Sequence, residues 1–127
     1  MAEQHSPLSS DASLKITYQS SENNNIIKAW IDKRTYKAIQ LANELKVLLI
    51  QDKEAVNSAA SINIGVGVLL DKKEFSGTAH YLEHMLFMGS KKYPGEHSWN
   101  NFIKQNGGYN NAYADHMDTN YYFDVAS

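Results

Sequence analysis

Ser58-Ala59-Ala60-Ser61-Ile62-Asn63-Ile64-Gly65-Val66-Gly67-Val68-Leu69-Leu70 precedes, by a short polar interval, Thr78-Ala79-His80-Tyr81-Leu82-Glu83-His84-Met85-Leu86-Phe87-Met88. In the first stretch Ala60, Ile62, Ile64, Val66 and Val68 alternate with Ser61, Asn63, Gly65 and Gly67. That period of two predicts a strand over 58–70 with one apolar face. In the second stretch Leu82, Met85 and Leu86 recur at i, i+3 and i+4, the spacing of a helix with one buried stripe. Ser76 or Thr78 stands ready to cap this helix and Gly89 to end it, with Lys91, Lys92 and Pro94 as further stop signals. A strand that feeds a helix places any chemistry on that helix beside the sheet.

Working outward, 36–41 and 46–51 are short β-type runs on either side of Ala42-Asn43-Glu44-Leu45, a hairpin with Asn43 in its turn. Downstream, a second helix begins near Ser98, carries Trp99, Phe102 and Ile103 on one face, and ends at Gly107-Gly108. Strands are predicted over 109–115 and 119–125. The fold class is α+β: a largely antiparallel sheet with helices packed on one face. Residues 1–25 are Ser- and Asn-rich and read as a flexible polar leader, with a short ordered stretch at 15–19. Residues 26–127 form the folded part.

Composition narrows the function. The chain has 127 residues, enough for one domain, and its net charge of −2 lacks the basic excess of a nucleic-acid module. Cysteine is absent, which excludes disulfide staples and thiolate zinc sites, so any metal must be held by His and carboxylate. No apolar run approaches the length of a membrane span, and no signal or transit pattern opens the chain. The expected location is cytoplasmic, with no membrane partner.

His80-Tyr81-Leu82-Glu83-His84 carries the chemistry. Helix geometry turns His84 about 40° from His80 and one turn along, so both imidazoles leave one face and converge on a single ion. Glu83 flanks that face, placed to act as base on a water that such an ion makes acidic. This is the H-x-x-E-H order, the inverse of H-E-x-x-H in zinc peptidases. At this chain's His and Glu frequencies, one such match arises by chance roughly one time in a hundred. The alternative is a surface helix with ordinary i, i+3 and i, i+4 pairs. Gly65-Val66-Gly67 is no dinucleotide fingerprint, because it lacks the third glycine and lies within a strand. His97 and His116 read as loop or turn residues, and the Asp115, His116, Asp118 group is explained equally well by a stray metal or by Asx-type turn chemistry.

The residues around the motif resemble the insulin-degrading enzyme (insulysin) and pitrilysin family of zinc metallopeptidases. The resemblance runs through Ser76-Gly77-Thr78-Ala79-His80 and Met85-Leu86-Phe87-Met88-Gly89-Ser90-Lys91-Lys92-Tyr93-Pro94. It continues in Gly107-Gly108-Tyr109-Asn110-Asn111-Ala112-Tyr113 and Thr119-Asn120-Tyr121-Tyr122-Phe123-Asp124-Val125, and covers roughly 32–127. It implies that His80 and His84 ligate Zn2+ and that Glu83 is the catalytic base. It also implies that Asn111 and Ala112 lie on an edge strand pairing with substrate backbone. Phe87 matches a residue lining the pocket beside the scissile bond, with plain core packing as the alternative, and Tyr113 joins the substrate-facing group. The implied activity is a zinc metalloendopeptidase hydrolysing short or partly unfolded peptides.

In that family the third ligand is a glutamate on a later helix, expected here beyond Ser127. Residues 26–127 thus read as the N-terminal part of a catalytic domain, incomplete before that ligand. Glu96, Asp115, Asp118 and Asp124 are the carboxylates after His84, and none stands in the family's ligand context. The chain alone is expected to bind zinc weakly, to show no peptidase activity, and to expose 121–125 as an unprotected sheet edge. A competing reading is a non-catalytic structural or interaction module of the same fold.

Overall fold

The computed structural model describes Tyr18, Gln19 and residues 26–127. The rest of the expected leader lies outside the described residues. The chain divides into two compact units, one up to Lys53 and one from Glu54 onward. Each unit holds one three-stranded antiparallel sheet, so the expected strands are shared between two sheets.

In the first unit, β1 (Tyr18–Gln19) pairs with β2 (Thr35–Leu41), which pairs with β3 (Lys46–Gln51). The hairpin register sets Thr35 opposite Gln51 and Gln40 opposite Lys46. Its turn is the expected one: the Asn43 Oδ1 accepts the Leu45 N–H at 3.2 Å, while Glu44 takes the positive φ of 68°. Ahead of β2, Asp32 accepts bonds from the Arg34 guanidinium and from the Tyr36 hydroxyl. The Arg34 side chain holds the Asp32 carboxyl well below the usual carboxylate range.

The second unit contains β4 (Asn57–Ile64), α1 (Thr78–Met85), α2 (Ser98–Gln105), β5 (Tyr109–Ala114) and β6 (Thr119–Ala126). The strand order is β4-β6-β5. The edge expected at 121–125 is therefore the centre of the sheet, with β4 and β5 on its flanks. A period of two identifies faces but says nothing of lateral neighbours, and β6 takes both. Packing joins α1 to β5, and α2 to β5 and β6.

The strand expected over 58–70 stops at Ile64. Beyond it the chain docks on the β5–β6 turn: Val68 N–H donates to the Asp115 carbonyl and Leu69 N–H to that of His116. The Thr119 hydroxyl donates to the Val66 carbonyl at 2.8 Å. Gly67 makes this approach possible, since a Cβ there would lie 2.2 Å from the Asp115 carbonyl oxygen. Residues 68–70 and 73–75 then form two short 3-10 turns.

These turns also revise the helix start. Neither Ser76 nor Thr78 caps α1. The Thr78 hydroxyl donates to the Phe75 carbonyl, and Gly77 at φ 93° precedes the first helical residue. The cap comes from Asp71, whose carboxylate accepts the N–H groups of Gly77 and Ala79. At its other end α1 passes after Met85 into i→i+3 bonds from Phe87 and Met88, and reaches Gly89 at φ 114°. The expected end is met, through a tighter last turn.

On α2, Ile103 is fully buried and Trp99 meets Phe123 edge-on at 5.1 Å. Its end is a Schellman-type closure: Gly108 N–H bonds to Ile103 and Gly107 N–H to Lys104, with Gly107 at φ 64°. No helix among the described residues is long and apolar enough to cross a membrane.

Candidate metal centre and adjoining edge strand

His80 occupies the first turn of α1 and His84 the second, four residues on and therefore on the same face. Their Nε2 atoms stand 2.9 Å apart and their rings stack at 4.8 Å, 27° between planes. The Glu83 Oε2 lies 3.9 Å from the His80 Nε2. One ligand atom from each of the three falls within 4.8 Å of the others. Their burial differs: the Glu83 residue is 8% exposed, whereas the His80 side chain is 61% exposed. Among the described residues this is the one group of three or more such side chains placed to hold a metal.

The donor set fits an ion. Two nitrogens bound tetrahedrally at ~2.0–2.1 Å from zinc sit roughly 3.3 Å apart. The observed 2.9 Å reaches that with a small rotation of either ring. The two imidazoles offer nitrogen to a cation in competition with their one mutual hydrogen bond.

Tyr121 stands on the central strand β6. Burial and then the Glu83 charge push the Tyr121 phenol above its ordinary pKa. The Tyr121 ring lies 6.2 Å from that of Phe87, one turn beyond Glu83. Phe87, Tyr121, Leu86, Trp99, Ile62 and Asn111 line a largely apolar cavity of about 340 Å³. Two residues assigned to substrate on resemblance, Phe87 and Asn111, thus share one hollow. Ala112 is half-buried opposite Tyr121, and Tyr113 is exposed opposite Asn120, so neither lines it. All three of Asn111, Ala112 and Tyr113 lie on β5, which flanks β6 on the side away from β4 in the sheet of the described residues.

The other candidates stay apart from this centre. His116 Nδ1 pairs with the Asp115 carboxylate at 2.7 Å, and the same oxygen takes the His116 N–H. These bonds hold the Asp115 carboxyl below its ordinary range, and they run to the next residue rather than two residues on, so they are not the Asx turn expected here. His97 directly precedes α2. The residue missed by sequence reasoning is Asp71: it stands six and eight residues from the amides it caps, outside any local capping pattern.

Residues 46–127 match the insulinase family, peptidase family M16, and the chain belongs to that family. That family is one of metallopeptidases, and His80, Glu83 and His84 form a cluster that could hold a metal ion. The chain is 49% identical over 106 residues to "Insulin-degrading enzyme-like 2" of Arabidopsis thaliana, covering 84% of this chain and 11% of that protein. It is 44% identical over 103 residues to the insulin-degrading enzyme of Homo sapiens, covering 81% of this chain and 10% of the relative. The A-factor-processing enzyme of Saccharomyces cerevisiae gives the same identity and coverage. Crystalline pitrilysin superposes with a TM-score of 0.82 at 40% identity, over 88% of this chain and 12% of that one. The chain thus spans about a tenth of the length of the curated relatives it matches.

Proposed function

We propose that these residues supply the metal-binding helix and the substrate-pairing strand of a zinc metalloendopeptidase acting on short or partly unfolded peptides. The observation that carries this reading is the convergence of the His80 and His84 Nε2 atoms at 2.9 Å, beside the buried Glu83 carboxylate. His80 and His84 hold the zinc ion, and a third ligand is a glutamate beyond Ser127. Bound zinc supplies Lewis acidity, which raises the acidity of water and polarises a carbonyl.

Glu83 takes the proton from the attacking water and returns it to the leaving amine. Its low exposure keeps bulk water from competing for that proton. Along β5, Asn111, Ala112 and Tyr113 offer backbone donors and acceptors to an extended peptide, which adds as a further strand. Phe87 packs against the peptide side chain beside the scissile bond.

Zinc titration of the chain beside His80→Ala and His84→Ala tests the ligands, each variant losing at least tenfold in affinity. Glu83→Gln, placed in a polypeptide of the relatives' full length that carries these residues, retains zinc and loses hydrolysis. Normal turnover by that variant excludes Glu83 as the base. Unchanged affinity in His80→Ala excludes it as a ligand.

A further inference from the structure

The start of α1 is held from outside the helix. Gly77 has no side chain with which to cap, and it stands at φ 93°. Within the helix the first bond at this end runs from the Tyr81 N–H to the Gly77 carbonyl, at 2.9 Å. The N–H groups of Gly77 and Ala79 donate instead to the two oxygens of Asp71, at 2.8 and 3.1 Å. One carboxylate therefore straddles the first helical residue. His80 follows immediately, in the turn that this bridge secures, whereas His84 lies a full turn further in. A helix of eight residues does not sustain itself, and its first turn frays when its amides lose their partners.

From this bridge we propose that Asp71 is a positioning residue for the metal centre, fixing the first turn of α1 and so holding His80 against His84. The inference rests on the reading of His80 and His84 as ligands. Asp71 acts through two backbone amides. Without it His80 departs with the frayed turn, while His84 stays with the second turn and the buried Glu83. Apparent affinity then falls in proportion to the time the first turn is formed.

The test is a titration of the 127-residue chain with zinc alone, following the ring nitrogens of His80 and His84 by NMR. In the parent both rings respond along one binding curve. Asp71→Ala weakens binding about tenfold and loses the His80 response first, with the amide signals of β4, β5 and β6 unmoved. Asp71→Asn keeps one oxygen acceptor and returns affinity to within about threefold of the parent. Asp71→Ala binding as tightly as the parent, with both rings responding, overturns the proposal. A parent that binds no zinc overturns the ligand reading instead. Amide exchange then judges the positioning role alone: Gly77 and Ala79 protected in the parent support it, and unprotected amides overturn it. The same exchange measurement, with Asp71→Asn, decides the matter if Asp71→Ala loses its sheet signals.

Discussion

The two helices of the second unit have equal length and opposite construction. Each runs eight residues. The buried residue of α2 is Ile103, an apolar side chain at zero exposure; the buried residue of α1 is Glu83, a carboxylate. At its start α2 is tied locally, with the Ser98 hydroxyl donating to the Gly95 carbonyl, and at its end by the glycine closure. By contrast, α1 begins at a left-handed glycine and depends on an aspartate six residues upstream. One helix turns an apolar side chain inward to hold the unit together, and the other buries the carboxylate for which the role of base is proposed. On that proposal, two segments of similar size divide stability from chemistry.

The largest test of that division is Glu83→Gln in a polypeptide of family length. Hydrolysis should fall about a thousandfold, while the unfolding midpoint of the chain stays level or rises, because an amide of the same shape is easier to bury. Ile103→Ala should do the reverse on α2, costing about 3 kcal/mol in urea unfolding. A smaller effect separates the helix starts. Gly77→Ala meets open space, so its cost of about 1–2 kcal/mol is backbone alone. Ser98→Ala loses one exposed hydrogen bond and should cost no more than about 1 kcal/mol.

The smallest effect concerns Tyr121. Glu83→Gln should lower its pKa part of the way, leaving the rise that burial causes. The raised value means that folding favours the protonated phenol. Its contribution is complete below the ordinary tyrosine pKa and disappears as pH rises through the folded value. Alkaline absorbance titration of parent and variant reads this directly, and identical curves would mean that the Glu83 charge does not reach the ring.

What the sequence made legible was whatever depends on near neighbours. The five residues from His80 to His84 specify their own geometry, because a helix fixes which side chains share a face. Asn43 marked the hairpin turn, and Gly107-Gly108 marked the end of α2, for the same local reason. Long-range docking was hidden. Gly65 and Gly67 continue the alternation of β4, so by periodicity alone the strand reads on to Leu70. Gly67 is small for a different purpose, the approach to the Asp115 carbonyl 48 positions later. The central place of β6 and the cap from Asp71 were hidden likewise, since each joins residues by a path no periodicity records. The leader at 1–25 falls largely outside the described residues.

Ile103 is the fully buried large side chain of the described residues, while Ile62 and Ile64 on β4 remain 43% and 42% exposed. Unfolding of the described residues taken by themselves therefore brings comparatively little new apolar surface into water. Both the heat-capacity increment and the denaturant slope scale with that surface. The chain should accordingly show a flat stability curve and a broad calorimetric transition. Its midpoint then becomes a sensitive gauge, moving by several degrees for a change of about 1 kcal/mol.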